Sequence, residues 1–224
     1  MSNFQDLRDE LQSVVFGRHK IVDAILPPLV FVVVNAIGGL ALAAVASLGT
    51  ALLFTFFRLF KRQPVGYALG GMGGVIFALM IALVSGRAEG YFIPQLLTSS
   101  LTAGICVVTV LFRRPLVAFT SYLTRRWPLE WYWHPRIRPA YSEVTVIWGV
   151  FFGLRALAQF LLISGGEIDL AGLLNILLGW PALILLLIVS YIYGIWRLKN
   201  LAGPSVEEFQ TEAPPPWEGQ TRGF

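Results

Sequence analysis

The chain has 224 residues, of which 56% are hydrophobic and 13% charged, and its mean hydropathy is +0.68. A soluble domain carries about 25% charged residues, because polar groups must cover its surface; composition therefore excludes a soluble globular domain and, for the same reason, a disordered chain. The net charge of +4 does not point to nucleic acid, because the cations lie in short segments between apolar runs, where membrane topology accounts for them.

Residues 1–20 are read as a cytoplasmic amphipathic helix. Phe4, Leu7, Leu11, Val14 and Val15 recur at helical spacing, with Asp6, Arg8, Asp9 and Glu10 between them. Such a helix lies on the inner leaflet, grips a partner or packs on the protein's own inner face. From Ala24 to Phe57 the chain has no charged residue. As one helix this run would be about 51 Å long, too long for a hydrocarbon core of about 30 Å. Gly38-Gly39 marks the place for a turn or kink, which divides the run into spans at about 21–38 and 40–60. Further spans are expected at about 67–86, 91–112, 141–163 and 170–196. The predicted class is thus an all-α polytopic bundle with six transmembrane helices in residues 21–200, grouped as three hairpin units. Helices are required because every backbone polar group in lipid must be satisfied internally.

Charge sets the orientation. With six crossings and both termini inside, every Lys and Arg except Arg87 and Arg155 falls on the inner side, as expected for a protein of the cytoplasmic membrane. The inner segment Arg113–Pro139 contains Trp127, Trp131, Tyr132 and Trp133 beside arginines, which predicts an aromatic anchor at headgroup level. Residues 201–224 are acidic and Pro-rich and are expected to be disordered.

Two features mark the spans themselves. Gly66, Gly70, Gly74 and Ala78 recur every fourth residue and continue to Ala82, and Gly149 and Gly153 do the same on the fifth span. Small residues let helices approach closely in lipid, either within the chain or against a second copy. The other feature is a layer of polar groups. Arg155 lies about 12 Å below the outer end of the fifth span by rise per residue, with Gln159 one turn on and Trp148 two turns before. Asn35, Gln95 and Asn175 fall at similar depths, with Arg87 and Glu89 in the outer loop above. These eight residues are expected either to line an outward-facing polar pocket or to lock the bundle through hydrogen bonds. Glu143, about 18 Å from Arg155 along the helix, is expected to meet Arg136 or Arg138, or to lie at the headgroups.

Several segments also carry a resemblance. They are Pro28 to Ala36, the basic exit Arg58 to Arg62, Gly86 to Pro94, Arg113-Arg114-Pro115-Leu116, Ala140-Tyr141 followed by Thr145, Trp148, Phe152, Arg155 and Gln159, and Gly179-Trp180-Pro181. On these marks the chain resembles, over roughly residues 17–198, an uncharacterised family of bacterial six-span membrane proteins, a domain of unknown function common in actinobacteria. Its layout is also distantly similar to the intracellular septation protein A group, which is linked to envelope maintenance. The resemblance implies an inner-membrane protein with no assigned reaction and no catalytic residues to carry over.

Catalytic motifs are lacking in the sequence. The two histidines, His19 and His134, lie outside the spans, and the single cysteine, Cys106, offers neither a disulfide nor a metal-ligand spacing. No cofactor and no metal is expected, and the leading reading is a non-enzymatic structural or interaction protein of the bacterial envelope. Its partners would be the lipid bilayer and either a second copy or an envelope protein, and not nucleic acid. The alternative is a small-solute transporter or channel with its pocket around Arg155.

Overall fold

A computed structural model describes residues 18–61, 65–220 and 223–224, with side chains described from residue 26 and not at 65–68. The amphipathic segment expected in the first 20 residues falls almost wholly outside this range. The described residues are helical and contain no strand: α1 (Arg18–Phe60), α2 (Val65–Ser85), a 3-10 turn (Ala88–Phe92), α3 (Ile93–Leu111), α4 (Leu116–Arg125), α5 (Leu129–Tyr132), α6 (Arg138–Gly165), α7 (Ile168–Leu177), α8 (Trp180–Leu201) and α9 (Val206–Gln210). Four stretches are long and apolar enough to cross a membrane, Leu26–Phe60, Ala88–Leu111, Arg138–Gly165 and Ile168–Leu201, and Leu69–Ser85 is a shorter apolar helix. The chain divides into two compact units, one of Val15–Thr98 with Arg155–Ala182, the other containing Ser99–Leu154 and Leu183–Phe224.

In the first unit α1 is not one straight rod. Gly39 sits at φ 74°, ψ 179°, a left-handed conformation that side chains with a Cβ rarely adopt. The Ser47 hydroxyl donates to the Pro27 carbonyl at 3.2 Å. In a straight helix those residues would be about 30 Å apart, so the chain folds back at Gly39 and the two legs pack against each other. Ser47 also lies 3.4 Å from the Tyr91 hydroxyl, and the Tyr91 ring stacks on Phe31 at 4.1 Å between centroids, a contact worth about 0.5–1.5 kcal/mol beyond its burial. Phe31, Ala43, Ala44, Ala78, Leu79, Ala82, Phe92 and Ala171 complete this core.

The small-residue stripe of α2 is used only at one end. Ala78 and Ala82 are buried, whereas Gly70 and Gly74 are exposed with open space where a Cβ would stand. Gly66 begins the same helix, and its surroundings are not described. In the second unit, a Cβ on Gly149 would lie 3.2 Å from Cys106 Cβ, so Gly149 does permit a close approach to α3. Gly153 meets nothing within 4 Å, so within the chain it makes no close approach.

The core of the second unit corrects two further expectations. Trp131 and Tyr132 are fully buried and do not face headgroups. The Trp131 indole donates to the Pro204 carbonyl at 2.9 Å, and the Tyr132 and Ser121 hydroxyls are 3.2 Å apart. Only Trp127 and Trp133 keep partial exposure, and their rings lie under the guanidinium groups of Arg125 (4.9 Å) and Arg114 (4.3 Å). The tail, expected to be disordered, instead packs on this aromatic core. Ser205 and Glu208 form a reciprocal capping box at the start of α9, Trp217 meets His134 edge-on at 5.5 Å, and Phe224 stacks on Tyr141 at 4.3 Å. The physical reason is local: Phe209, which packs against the same core, Trp217 and Phe224 each find aromatic neighbours.

Candidate functional site: the Arg155 layer

Arg155 lies ten residues before the end of α6, about 15 Å along the helix. After the turn at Gly165–Glu167 the chain returns as α7, which is only ten residues long. Asn175 lies in its last turn, about 10 Å from the start. The two depths nearly match, and the Arg155 guanidinium donates to Asn175 Oδ1 at 3.2 Å.

α7 stops here because Leu178 and Gly179 turn back onto its last carbonyls, with the Leu178 amide donating to Leu174 O and the Gly179 amide to Ile176 O. A Cβ on Gly179 would stand 2.6 Å from the Asn175 carbonyl oxygen, so this tight exit requires glycine. Pro181 then lies in the first turn of α8, where its missing N–H leaves no intrahelical bond unmade. The result is a discontinuous helix whose first segment ends beside a cation. The partial negative charge of a helix C-terminus favours that cation.

The layer is closed and incompletely satisfied. Arg155 is 3% exposed and Gln159, one turn on, is 0% exposed. Neither Gln159 Oε1 nor Nε2 has a hydrogen-bond partner among the described residues. An unmade buried polar group costs about 1–3 kcal/mol, and an intramembrane arginine roughly 2.5–3.5 kcal/mol. No carboxylate forms an ion pair with Arg155 among the described residues.

The remaining predicted members are distributed differently. Asn35 and Gln95 are half-buried, and no hydrogen bond joins either to Arg155 among the described residues. The Glu89 carboxylate lies by Gly166, 3.5 Å from where a Cβ would stand, and Arg87 is exposed. Trp148 belongs to the other unit, where its indole donates to Ser190 Oγ at 2.8 Å. Of the eight residues expected either to line a pocket or to lock the bundle, Arg155 and Gln159 are buried one turn apart and Arg155 is bonded to the half-buried Asn175.

A family model described as "Protein of unknown function (DUF3159)" matches residues 16–199. The chain belongs to this family. The match runs from before α1 to within two residues of the end of α8, so Arg155, Gln159, Asn175 and Gly179 all fall inside the DUF3159 region. The packed tail follows it. No curated protein and no solved structure matches the chain.

A second polar arrangement escaped sequence reasoning. Glu143 does not meet Arg136 or Arg138. It accepts two bonds from Arg197, each 2.8 Å, and one from the Tyr193 hydroxyl at 2.7 Å. Tyr193 and Arg197 are one helical turn apart on α8, which was the available signal. The side chains of Glu143 and Arg197 keep about a third of their exposure, which marks the set as a structural clamp between α6 and α8.

Proposed function

We propose that the protein is a non-enzymatic, six-crossing protein of the cytoplasmic membrane, with both termini inside, that binds a small anionic solute at the Arg155 layer. The observation that carries the solute site is the unmet polarity there. A guanidinium has five N–H donors; among the described residues Arg155 makes one hydrogen bond, to a neutral amide, and Gln159 makes none. Groups that serve only to lock a bundle gain their stability from being satisfied. An occupant with acceptor oxygens and a negative charge would complete both, and a carboxylate suits a guanidinium in two-point geometry. A discontinuous helix ending at such a layer is the arrangement in which transporters often place their substrates.

The reversal at Gly39 supports the six-crossing count, because it divides Leu26–Phe60 into two legs, each of which is about 30 Å long when α1 is counted from Arg18. The distribution of Lys and Arg supports the orientation. A reporter fused after Asn200 should be active only on the cytoplasmic side; activity outside would overturn the topology.

Thermal melts of the protein in lipid nanodiscs, with acetate, lactate or inorganic phosphate, test the site. A bound anion raises Tm through its linkage to the folded state. The effect should vanish in Arg155→Met. In Gln159→Leu it should weaken while the ligand-free Tm rises, because an unmade polar group is removed. Retention of the anion effect in Arg155→Met, with only stability reduced, would refute the solute site.

An interaction role is the second reading. The exposed Gly70 and Gly74 of α2 favour it, because they leave a face that another membrane helix, from a second copy or an envelope protein, could approach closely.

A further inference from the structure

The face of α4 turned away from the core is apolar. α4 follows the apolar α3 closely, with at most about 18 Å of chain between Leu111 and Leu116, so it starts at the end of a candidate span. Its inner face is packed: Val117, Ala118 and Ser121 are buried. The opposite stripe, at helical spacing, is Phe119, Tyr122 and Leu123, all exposed, Leu123 at 73%. A helix face turned to water carries polar residues. Here it carries two aromatic rings and a leucine.

Two cations stand beside this stripe. α3 ends in a Schellman turn, in which the Arg114 amide donates to the Thr109 carbonyl at 2.8 Å and the Arg113 amide to the Val110 carbonyl at 2.9 Å. Arg113 is the left-handed residue of that turn, at φ 56°. Glycine fits this conformation with less strain, so what arginine adds there is its side chain. Arg113 and Arg114 are exposed, and neither is ion-paired with a carboxylate among the described residues. The Arg114 guanidinium lies over the Trp133 ring at 4.3 Å, and that ring meets Phe119 edge-on at 5.4 Å. Cation and apolar stripe are thus joined through one indole. Stacking occupies the flat face of a guanidinium and leaves its N–H edge for acceptors. Arg125 and Arg126 are engaged elsewhere: Arg125 donates to the Phe224 carbonyl at 3.1 Å, and Arg126 shares a cleft with Glu207 and Glu218 of the tail.

We infer that α4 is a docking surface for anionic lipid. It lies in the plane of the membrane interface, with Phe119, Tyr122 and Leu123 in the top of the acyl layer and the guanidinium groups of Arg113 and Arg114 on the negative headgroup. Apolar side chains beside unpaired cations match a surface that is apolar just beneath its charge, which a water-soluble anion is not. A zwitterionic headgroup fits less well, because it brings its own cation to a place where two already stand. The inference rests on the crossing of α3 and α6 proposed above and is independent of the Arg155 site, which belongs to the other unit.

The full chain in detergent is titrated with phosphatidylglycerol and with phosphatidylcholine, and bound lipid is read by native mass spectrometry. Phosphatidylglycerol should bind more tightly, and its advantage should shrink as salt rises. Arg113→Gln and Arg114→Gln should each cut that advantage about fivefold. Arg87→Gln, which removes an exposed cation from the other unit, should leave it unchanged. Arg113→Gln keeps a side chain in the left-handed turn, so its melting curve in phosphatidylcholine nanodiscs should match the parent's. Depth is read in a Cys106→Ser background with a dye on Leu123→Cys and, separately, on Val107→Cys of α3, which is 58% exposed, in nanodiscs containing brominated phosphatidylglycerol. Quenching by the lipid at both positions supports the docked helix. Quenching at residue 107 alone keeps the crossing of α3 and overturns the docking, and quenching at neither overturns the crossing itself. An equal preference for the two lipids, or an equal loss in Arg87→Gln, overturns the headgroup site. A dye at residue 123 shielded from iodide in lipid-free detergent, at twice the monomer mass, assigns the stripe to a second copy and overturns the proposal.

Discussion

Gly179→Ala places a methyl group where the backbone leaves no room. Its Cβ would lie 2.6 Å from the Asn175 carbonyl oxygen and 3.3 Å from that of Ile176, well inside the ~3.5 Å at which nonbonded atoms rest. Both obstacles are backbone, so no side chain can swing aside, and the last turn of α7 must open. Asn175 belongs to that turn, and its Oδ1 is the partner of Arg155 at 3.2 Å. Hydrogen bonds to charged groups contribute about 1.5–3 kcal/mol, so loss of this one, with the strain of opening the turn, should cost at least about 2 kcal/mol. In a chain of this length that corresponds to a fall in Tm of about 4–8 °C. Asn175→Ala should lower Tm by a similar amount through the same bond. The variants therefore should not add: the double variant should be less destabilised than the sum of the two single variants, with a coupling of about 1 kcal/mol or more. Far-UV circular dichroism melts in nanodiscs read all three. Full additivity, or a Gly179→Ala protein as stable as the parent, would refute the assignment of Gly179 as the residue that lets α7 end at Arg155.

Two glycines one turn apart on α6 give a paired prediction. Gly149→Ala should destabilise by about 1 kcal/mol and speed the reaction of Cys106 with a thiol dye, because the new methyl group presses on that buried side chain at 3.2 Å. Gly153→Ala should be neutral or slightly stabilising, since nothing lies within 4 Å and alanine is the better helix former. Glu143→Gln breaks the paired bonds to Arg197, but both side chains remain about one-third exposed, so solvent screening should hold the loss to about 1 kcal/mol or less; a thermal melt reads it. Finally, hydrogen bonds from the Ser205 and Glu218 amides hold the Glu208 carboxyl down at about 2, against an ordinary value of 4.5. A depressed folded-state pKa contributes stability that is present above the ordinary value and lost as pH falls toward the depressed one. The tail should therefore stay docked at pH 5 and above and loosen between about pH 4.5 and 2, followed through Trp217 fluorescence, and Glu208→Gln should loosen it already at neutral pH.

How far the sequence determines this arrangement depends on which coordinate a residue argument supplies. Length supplied the reversal in α1: a charge-free run too long for one crossing had to break, and the paired glycines Gly38-Gly39 offered the conformation. Rise per residue supplies depth, and it sets Arg155 and Asn175 at one level, in agreement with their hydrogen bond of 3.2 Å. Depth says nothing about azimuth. Among the described residues, Asn35 and Gln95 share the level without a bond to Arg155, and Trp148, on the same helix two turns away, donates to Ser190 instead. Composition misjudged the aromatic segments for a related reason. Trp131 and Tyr132 look like headgroup anchors by residue type, but their fate depends on whether the tail returns to cover them, a long-range event that local patterning does not encode. The tail likewise reads as disordered when averaged, although its fold rests on Trp217, Phe224 and the Glu208 clamp.

These errors separate the two polar centres of the molecule. In the second unit, long-range packing supplies partners to particular groups: the Trp131 indole finds the Pro204 carbonyl, and the partly exposed Glu143 finds three donors on α8. The fold evidently has the means to partner buried polar atoms across fifty residues or more. Among the described residues, Gln159 nevertheless keeps both amide atoms unmade in a fully buried position, beside an arginine whose bonded partner is neutral. A methionine or leucine there would remove the cost, because replacing an unsatisfied polar group by an apolar one of similar shape is neutral or stabilising. Polarity held at such expense beside a buried guanidinium supports the reading of the Arg155 layer as built for an occupant.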